Sequence, residues 1–183
     1  MEKMVETNIY NSIRETLMVA RKKVYTTANF VMVEAYWNIG KQIVDAQDNN
    51  PRAEYGSQLL KFLSEKLAKE FGKGFDERNL RFMRQFYQTF PIRNTLCSEL
   101  SWSHYRRLMK IVDENRREFY MQESVDAGWS VRQLERQINS FYYERLLATG
   151  TSNRDEIRNE IQAHEPNTNP DFILKDPYIL KIK

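Results

Sequence analysis

The chain has 183 residues, with 28 lysines and arginines against 25 aspartates and glutamates, so its formal net charge is +3 and its length suits one domain or two small ones. Hydrophobic residues make up 41% and aromatic residues 13%, which supports a packed core and excludes global disorder. The single Cys97 excludes an internal disulfide and fits a reducing cytoplasm, and six glycines and five prolines are too few for a fold of many short strands.

Apolar residues recur at helical spacing along most of the chain. The pattern predicts a helix over residues 8–46, with a bend at 26–29 and an end before Pro51. Further helices are predicted at residues 56–71, at 77–90 with Asp76 as N-cap, from Ser101 or Ser103 onward, at 114–127, and at 131–147 with Ser130 as N-cap. The inward faces are expected to include Phe71, Phe82, Val112 and Phe141. We therefore expect an all-α, compact multi-helix domain over residues 1–150, with one or two helix-turn-helix-like units, followed by a polar linker over 151–183.

The predicted helix 77–90 separates arginine and glutamine from its apolar residues. On a helical wheel of about 100° per residue, one arc of about 120° holds Arg78, Arg81, Arg84, Gln85 and Gln88. Arginine and glutamine are side chains that contact guanine and adenine edges and phosphates. The turn before this helix contains Lys73 and has helix-turn-helix spacing. The arc predicts a DNA-recognition surface, and the alternative is an ordinary solvated helix face.

A second helix pair, 114–127 and 131–147, repeats this arrangement. The polar side of its second helix holds Arg132, Gln133, Arg136, Asn139 and Tyr143. This side suits phosphate or base contacts, although Glu135 and Glu144 dilute its charge and favour a solvated face. Residues 72–147, which include both pairs, contain 13 basic and 10 acidic residues. Two further basic groups, residues 21–23 and 106–107, are candidates to extend a phosphate-binding surface.

Motifs for metal ions, cofactors and membranes are missing from the sequence. His104, His164 and Cys97 do not have the spacing of metal ligands, and no glycine-rich phosphate loop is present. We expect no metal and no cofactor, and we expect His104 to be structural. The charged first residues and the short apolar runs predict neither a signal peptide nor a membrane helix.

Several longer motifs resemble the N-terminal domain of YhcG-like proteins. They are Tyr36-Trp37, Ile39-Gly40, Tyr55-Gly56, Phe71-Gly-Lys-Gly-Phe75, Arg78-Asn-Leu80, Leu100-Ser-Trp-Ser-His-Tyr105, Arg117-Glu-Phe-Tyr120, Trp129-Ser-Val-Arg132, Leu134-Glu-Arg-Gln-Ile138 and Asp176-Pro-Tyr178. The resemblance covers residues 10 to 178. It implies a helical domain from bacterial proteins regarded as PD-(D/E)XK nucleases, with a role in DNA binding or assembly. The family's catalytic domain follows the Asp-Pro-Tyr segment, so no catalytic residue is carried over to this sequence, and we expect the catalytic domain to be absent.

We interpret the chain as a cytoplasmic, non-enzymatic DNA-binding module of a nuclease system. The alternative is a protein-interaction or dimerisation scaffold that docks a nuclease subunit, because aromatic residues such as Trp102 and Trp129 are enriched at interface hot spots. The expected partner is DNA, with a nuclease domain in trans and a second copy of the chain as further candidates.

Overall fold

The computed structural model describes residues 2–48 and 53–148. Within these ranges the chain forms α-helices and two short 3-10 helices, with no strand. The α-helices are α1 (Glu2–Asp48), α2 (Ala53–Phe71), α3 (Glu77–Thr89), α4 (Trp102–Leu108), α5 (Glu114–Asp126), α6 (Val131–Asn139) and α7 (Tyr142–Ala148). The 3-10 helices are Lys73–Phe75 and Arg93–Thr95. The predicted all-α class is confirmed, and the predicted linker at 151–183 lies outside the described residues.

The first helix is longer than predicted. It runs for 47 residues without interruption through residues 26–29, so the predicted bend there is wrong. The two threonines of this stretch lower helix propensity by at most about 0.7 kcal/mol each, which is too little to interrupt a helix that continues on both sides. Further along α1, Val33, Tyr36 and Trp37 are buried in the core, and the Trp37 indole nitrogen donates to the Phe90 carbonyl at 2.6 Å. Packing therefore fixes the second half of α1 against the end of α3.

Gly40 is the point of closest approach between α1 and α3. A Cβ atom at this position would lie 2.0 Å from the Met83 carbonyl oxygen and 2.7 Å from the carbonyl carbon. The residue is buried within a continuous helix, where glycine costs about 1 kcal/mol relative to alanine. The absence of a side chain here lets the two helix backbones touch.

Aromatic rings connect the helices of the core. The Phe86 ring of α3 lies 5.3 Å from the Trp102 ring and 4.8 Å from the Tyr105 ring of α4, measured between centroids. A second group joins α5 to α7, with the Phe119 ring 5.5 Å from Tyr142. Tilted and edge-to-face rings at these separations stabilise the packing beyond the area that they bury.

The predicted helix starts that have a named cap are confirmed by their capping hydrogen bonds, whereas α1 and α2 begin before the predicted residues 8 and 56. An Asp76 carboxylate oxygen accepts from the Asn79 backbone nitrogen at 2.8 Å, and Ser130 forms a reciprocal capping box with Gln133. At α4 the cap is Ser101, whose backbone nitrogen lies 3.1 Å from His104 Nδ1. The other His104 ring nitrogen lies 2.9 Å from the Trp129 carbonyl oxygen, so His104 is structural, as predicted.

Three residues assigned to inward faces are exposed. Val112 is 95% exposed because α4 ends at Leu108 and helical periodicity no longer applies beyond it. Phe71 is 61% exposed at the end of α2 and packs edge-on against Phe75 with 5.8 Å between ring centroids. Phe141 is 60% exposed and has a positive φ of 54°, which ends α6 and divides the predicted helix 131–147 into two.

Candidate nucleic-acid interface

The solvent side of α3 presents most of the predicted arginine and glutamine arc. Asp76 caps the helix, and burial of Leu80, Met83 and Phe86 fixes its rotation. The opposite side then faces water with four exposed side chains: Arg78, Arg81, Gln85 and Gln88. Their exposure follows directly from the segregation of polar and apolar residues along 77–90.

Arg84 and Lys73 are placed differently from the other predicted residues. Arg84 is half-buried, and its Nη1 donates to the Gln47 side-chain oxygen of α1 at 3.1 Å. This bond directs the guanidinium toward the α1–α3 contact and away from the exposed face. Lys73 begins the 3-10 helix between α2 and α3, and its side chain lies outside the described part of the structure.

Two of the exposed side chains have polar partners that leave them accessible. The Arg81 guanidinium forms an ion pair with Glu77 at 2.8 Å, with side-chain exposures of 57% and 38%. Exposed pairs of this kind contribute about 0.2–1 kcal/mol. A phosphate group can therefore readily replace the Glu77 carboxylate as the partner of Arg81. The Gln85 side-chain nitrogen donates to the Met109 carbonyl at 3.5 Å, at the limit of a hydrogen bond, and connects α3 to the end of α4.

The Phe82 ring extends the surface onto α4. The Arg106 guanidinium carbon lies 4.4 Å from the ring centroid, and that of Arg78 lies 5.8 Å from the same centroid. Two guanidinium groups therefore share one partly buried ring, an arrangement typical of cation–π contacts. We call Arg78, Arg81, Gln85, Gln88 and Arg106 the arginine face. The sequence predicted that Arg106 extends a phosphate-binding surface. It did not predict that the Phe82 ring connects Arg106 to Arg78, because the wheel position of Phe82 indicated only core packing.

The second predicted surface, on α6, is smaller than expected. Arg132, Arg136 and Asn139 are exposed on one side of the helix. The Gln133 side chain accepts from the Ser130 backbone nitrogen at 2.7 Å and so belongs to the cap. Tyr143 lies on α7, where its backbone nitrogen donates to the Tyr120 hydroxyl at 3.2 Å.

Helix α4 connects the two surfaces. Its Arg106 contacts Phe82 of α3, and its neighbour Arg107 forms an ion pair with Glu135 of α6 at 3.1 Å. Consecutive arginines thus face in two directions, one toward each predicted surface. The basic residues 106–107 therefore lie between α3 and α6. The sequence alone could not show this placement.

The groups with shifted pKa values belong to the core. Burial raises the pKa of Tyr105 strongly and that of Tyr120 to a lesser degree. Burial, together with the nearby Glu99, also raises the pKa of Cys97. The Tyr105 hydroxyl accepts from the Cys97 backbone nitrogen at 2.7 Å. Tyr105 therefore has a structural role, because it holds the segment around Cys97 against α4.

Within residues 2–48 and 53–148, no group of three or more His, Cys, Asp or Glu side chains is placed to hold a metal ion. Among the helices of the same ranges, none has the combined length and apolar character that a membrane span requires.

Comparison with known proteins agrees with the motif resemblance. The model of the DUF1016 N-terminal domain matches residues 12–145. The chain is also 32% identical over 206 aligned positions to a protein of Escherichia coli (strain K12) named "Putative nuclease YhcG". That alignment covers 94% of this chain and 54% of the relative, so the chain spans about half the length of the curated relative that it matches. No solved structure shows a significant match. The chain therefore belongs to the family defined by the DUF1016 N-terminal domain.

Proposed function

We propose that this domain binds DNA through the arginine face. The observation that supports this most directly is the pair of guanidinium groups, from Arg78 and the half-buried Arg106, that share the Phe82 ring. The exposed side chains of Arg81, Gln85 and Gln88 lie beside them. Glu77 is the one acidic residue of α3, and it is paired with Arg81. The face thus combines positive charge with side chains suited to both phosphates and base edges.

Each residue type of the arginine face has a distinct role in this proposal. The three arginines contact phosphates, which releases counterions and makes binding sensitive to salt. Gln85 and Gln88 lie on the same side of α3 and contact base edges, for which a glutamine amide is suited when adenine is present. The exposed Arg132 and Arg136 of α6 add phosphate contacts on the other side of α4.

The two helix pairs would present these surfaces as helix-turn-helix units. Helix α2 leads through the 3-10 turn Lys73–Phe75 into α3, and α5 leads through Gly128, with φ of 63°, into α6. In both pairs a short turn is followed by a capped helix with exposed arginines, which is the order that helix-turn-helix proteins use.

We further propose that the domain itself is non-catalytic and directs a nuclease domain, in cis or in trans, to DNA. Four of its glutamates form ion pairs with arginines, namely Glu34, Glu77, Glu135 and Glu144. Carboxylates held in this way suit structural roles better than cation binding, which requires several carboxylates around one ion. Incubation of the purified chain with DNA and Mg²⁺ tests this point, and cleavage that persists after stringent purification would contradict it.

The DNA-binding proposal is tested by fluorescence anisotropy across a series of salt concentrations. The test variant carries Arg78→Ala, Arg81→Ala and Arg106→Ala. The control carries Lys41→Ala, Lys61→Ala and Lys66→Ala, which removes the same charge from exposed positions on α1 and α2. Circular dichroism is used to check that both variants remain folded.

We expect the arginine variant to bind at least about tenfold more weakly, and the slope of log K against log salt to fall by about 2–3 because three phosphate contacts are lost. The lysine control should retain most of the affinity. Equal losses in the two variants would show that only net charge matters, and unchanged binding in the arginine variant would remove the arginine face from the proposal.

A further inference from the structure

The N-terminal part of α1 exposes an unusually large amount of apolar surface. We call residues 5–24 the arm. Seven large apolar side chains of the arm are each at least 55% exposed: Val5, Ile9, Tyr10, Ile13, Leu17, Val19 and Val24. A soluble monomer seldom exposes a contiguous apolar patch of more than a few hundred Å². Helices in proteins also owe most of their stability to packing of an apolar side, so the arm has the properties of a helix that packs against a partner.

Four of these exposed residues, together with Ala20, follow coiled-coil spacing. Tyr10, Ile13, Leu17, Ala20 and Val24 are separated by alternating steps of three and four, and Val31 continues the series after a further seven residues. We call this row the seam. All of its members are exposed in the structure.

The seam lies on the side of α1 that faces away from the core. On a wheel of about 100° per residue, the centre of the seam lies about 160° from the centre of the buried positions Val33, Tyr36, Trp37 and Ile43. Val31 shows this most clearly, because it is 55% exposed while Val33, two residues later, is fully buried. The seam is therefore a second apolar surface, separate from the one that holds α1 to α3.

The size of the seam suits a helix–helix interface. Each aliphatic side chain offers on the order of 100 Å² of apolar surface, and the arm is about 30 Å long at 1.5 Å per residue. The seam together with its flanking residues approaches the roughly 800 Å² per partner that a stable specific interface buries.

The charges of the arm indicate which partner it fits. Glu6 lies near one end of the arm, Arg14 and Glu15 lie at its middle, and the basic residues Arg21, Lys22 and Lys23 lie near the other end. On the wheel of about 100° per residue, Arg21 flanks the seam, whereas Lys22 lies on the opposite side of the helix. A two-fold interface must be self-complementary, so that residue i of one copy meets residue j of the other and the reverse. Antiparallel pairing of two arms places Glu6 within one turn of Arg21 of the second copy. Parallel pairing would instead place the two basic groups side by side.

We propose that two copies of this chain associate through antiparallel pairing of their arms. In the register that aligns the seams, Ile13 lies opposite Leu17 of the second copy, and Tyr10 lies opposite Ala20. A large residue thus meets a small one at each end of the contact, which is the alternation that well-packed interfaces use. This inference is independent of the DNA-binding proposal, because none of its residues belongs to the arginine face.

The association is tested first by analytical ultracentrifugation of the full chain over a range of concentrations. We expect a monomer–dimer equilibrium that Leu17→Arg shifts toward monomer by at least tenfold in Kd. The matched control is Val19→Arg, which introduces the same charge on the same helix at a position that is 68% exposed but off the seam. A chain that is monomeric throughout would overturn the proposal, and so would a dimer that both variants weaken equally or that neither affects.

The orientation is tested by disulfide trapping in a Cys97→Ser background. One chain carries Tyr10→Cys and another carries Ala20→Cys, and the two are mixed under mild oxidation. Antiparallel pairing predicts a mixed dimer of the two chains, because positions 10 and 20 then lie opposite each other. Parallel pairing separates them by about 15 Å along the helices and would give only like-with-like dimers, which would overturn the proposed orientation.

Discussion

At the residue scale, Gly40 shows how one missing side chain determines a helix contact. The glycine brings the backbone of α1 onto the Met83 carbonyl of α3, and a Cβ atom at 2.0 Å from that oxygen has no flexible neighbour to displace. On helix propensity alone, a glycine inside α1 is unfavourable. The structure shows that packing compensates for the weaker helix propensity.

Gly40→Ala is therefore expected to destabilise the fold by at least about 2–3 kcal/mol, because overpacking forces the helix backbones apart. The matched control is Gly74→Ala in the 3-10 turn, where an added Cβ meets nothing within 4 Å. That change should alter stability by less than about 1 kcal/mol. Urea denaturation followed by circular dichroism measures both, and equal effects would contradict the close helix contact.

Tyr105 connects a buried hydroxyl to the dependence of stability on pH. Burial raises its pKa in the folded state, so the unfolded chain releases this proton at lower pH than the folded chain does. The resulting stabilisation is complete below the ordinary tyrosine pKa of about 10 and is lost as pH rises above it. Tyr120 acts in the same direction.

Tyr105→Phe should flatten the fall in stability that begins at about pH 10 and continues as pH rises further. At neutral pH it should destabilise the protein by about 1–3 kcal/mol, because the Cys97 backbone nitrogen loses its acceptor. The wild-type protein, which keeps both the hydroxyl and its hydrogen bond, is the reference for both quantities. Denaturation midpoints measured across this pH range decide the matter, and identical pH profiles for the wild type and the variant would rule out the proposed role of burial.

At the element scale, local rules predicted the starts of the capped helices but not the starts of α1 and α2, nor every helix end. Asp76 and Ser130 cap their helices through hydrogen bonds within three residues, so the information lies in a short stretch of sequence. The break between α6 and α7 is different, because apolar periodicity continues through it and Phe141 is not a helix breaker. Burial of the Tyr142 ring against Phe119 and Trp129, with centroids 5.5 Å and 5.9 Å away, fixes α7 in its own orientation.

The residues of the candidate interface were likewise predictable only where the local sequence determines their position. The wheel identified the exposed residues of α3, because the opposite side of the helix is strongly apolar. It could not place Arg84, whose hydrogen-bond partner Gln47 is 37 residues earlier in the chain. It also could not show that Arg106 meets Arg78 across the Phe82 ring, because that contact depends on how α4 packs beside α3.

The positive φ of Phe141 gives a sharp test of the helix break. A residue with a Cβ is disfavoured in the left-handed region by about 1–2 kcal/mol relative to glycine, and Phe141 has φ of 54°. Phe141→Gly should therefore be more stable than Phe141→Ala by about 1 kcal/mol. Within a continuous helix the order would be reversed by a similar amount. Thermal unfolding of the two variants thus shows directly whether the chain is helical through residue 141.

At the scale of the whole molecule, the arm and the arginine face lie on different parts of the chain. The paired arms therefore set the distance between the two arginine faces of the proposed dimer. Paired arms in the proposed register place Asn29 of one copy about 40 Å along the helix axis from Asn29 of the other, at 1.5 Å per residue. The two folded bodies, each with its own arginine face, would then lie at opposite ends of a short helical rod. Two linked DNA-binding surfaces bind a long duplex more tightly than a short one when the geometry allows both to engage.

We therefore expect the dimer to prefer DNA long enough to reach both bodies. At about 3.4 Å per base pair, 40 Å corresponds to roughly 12 base pairs, so a duplex of that length engages only one arginine face, whereas one about three times as long engages two. Wild-type chain should bind the long duplex at least tenfold more tightly, after correction for the number of available sites. Leu17→Arg should bind the short duplex as the wild type does but lose the preference for length, and Val19→Arg should retain it. If Leu17→Arg keeps the full preference, the arms do not couple the two faces. If it loses binding to both duplexes while still folded, the arm contributes to DNA contact directly.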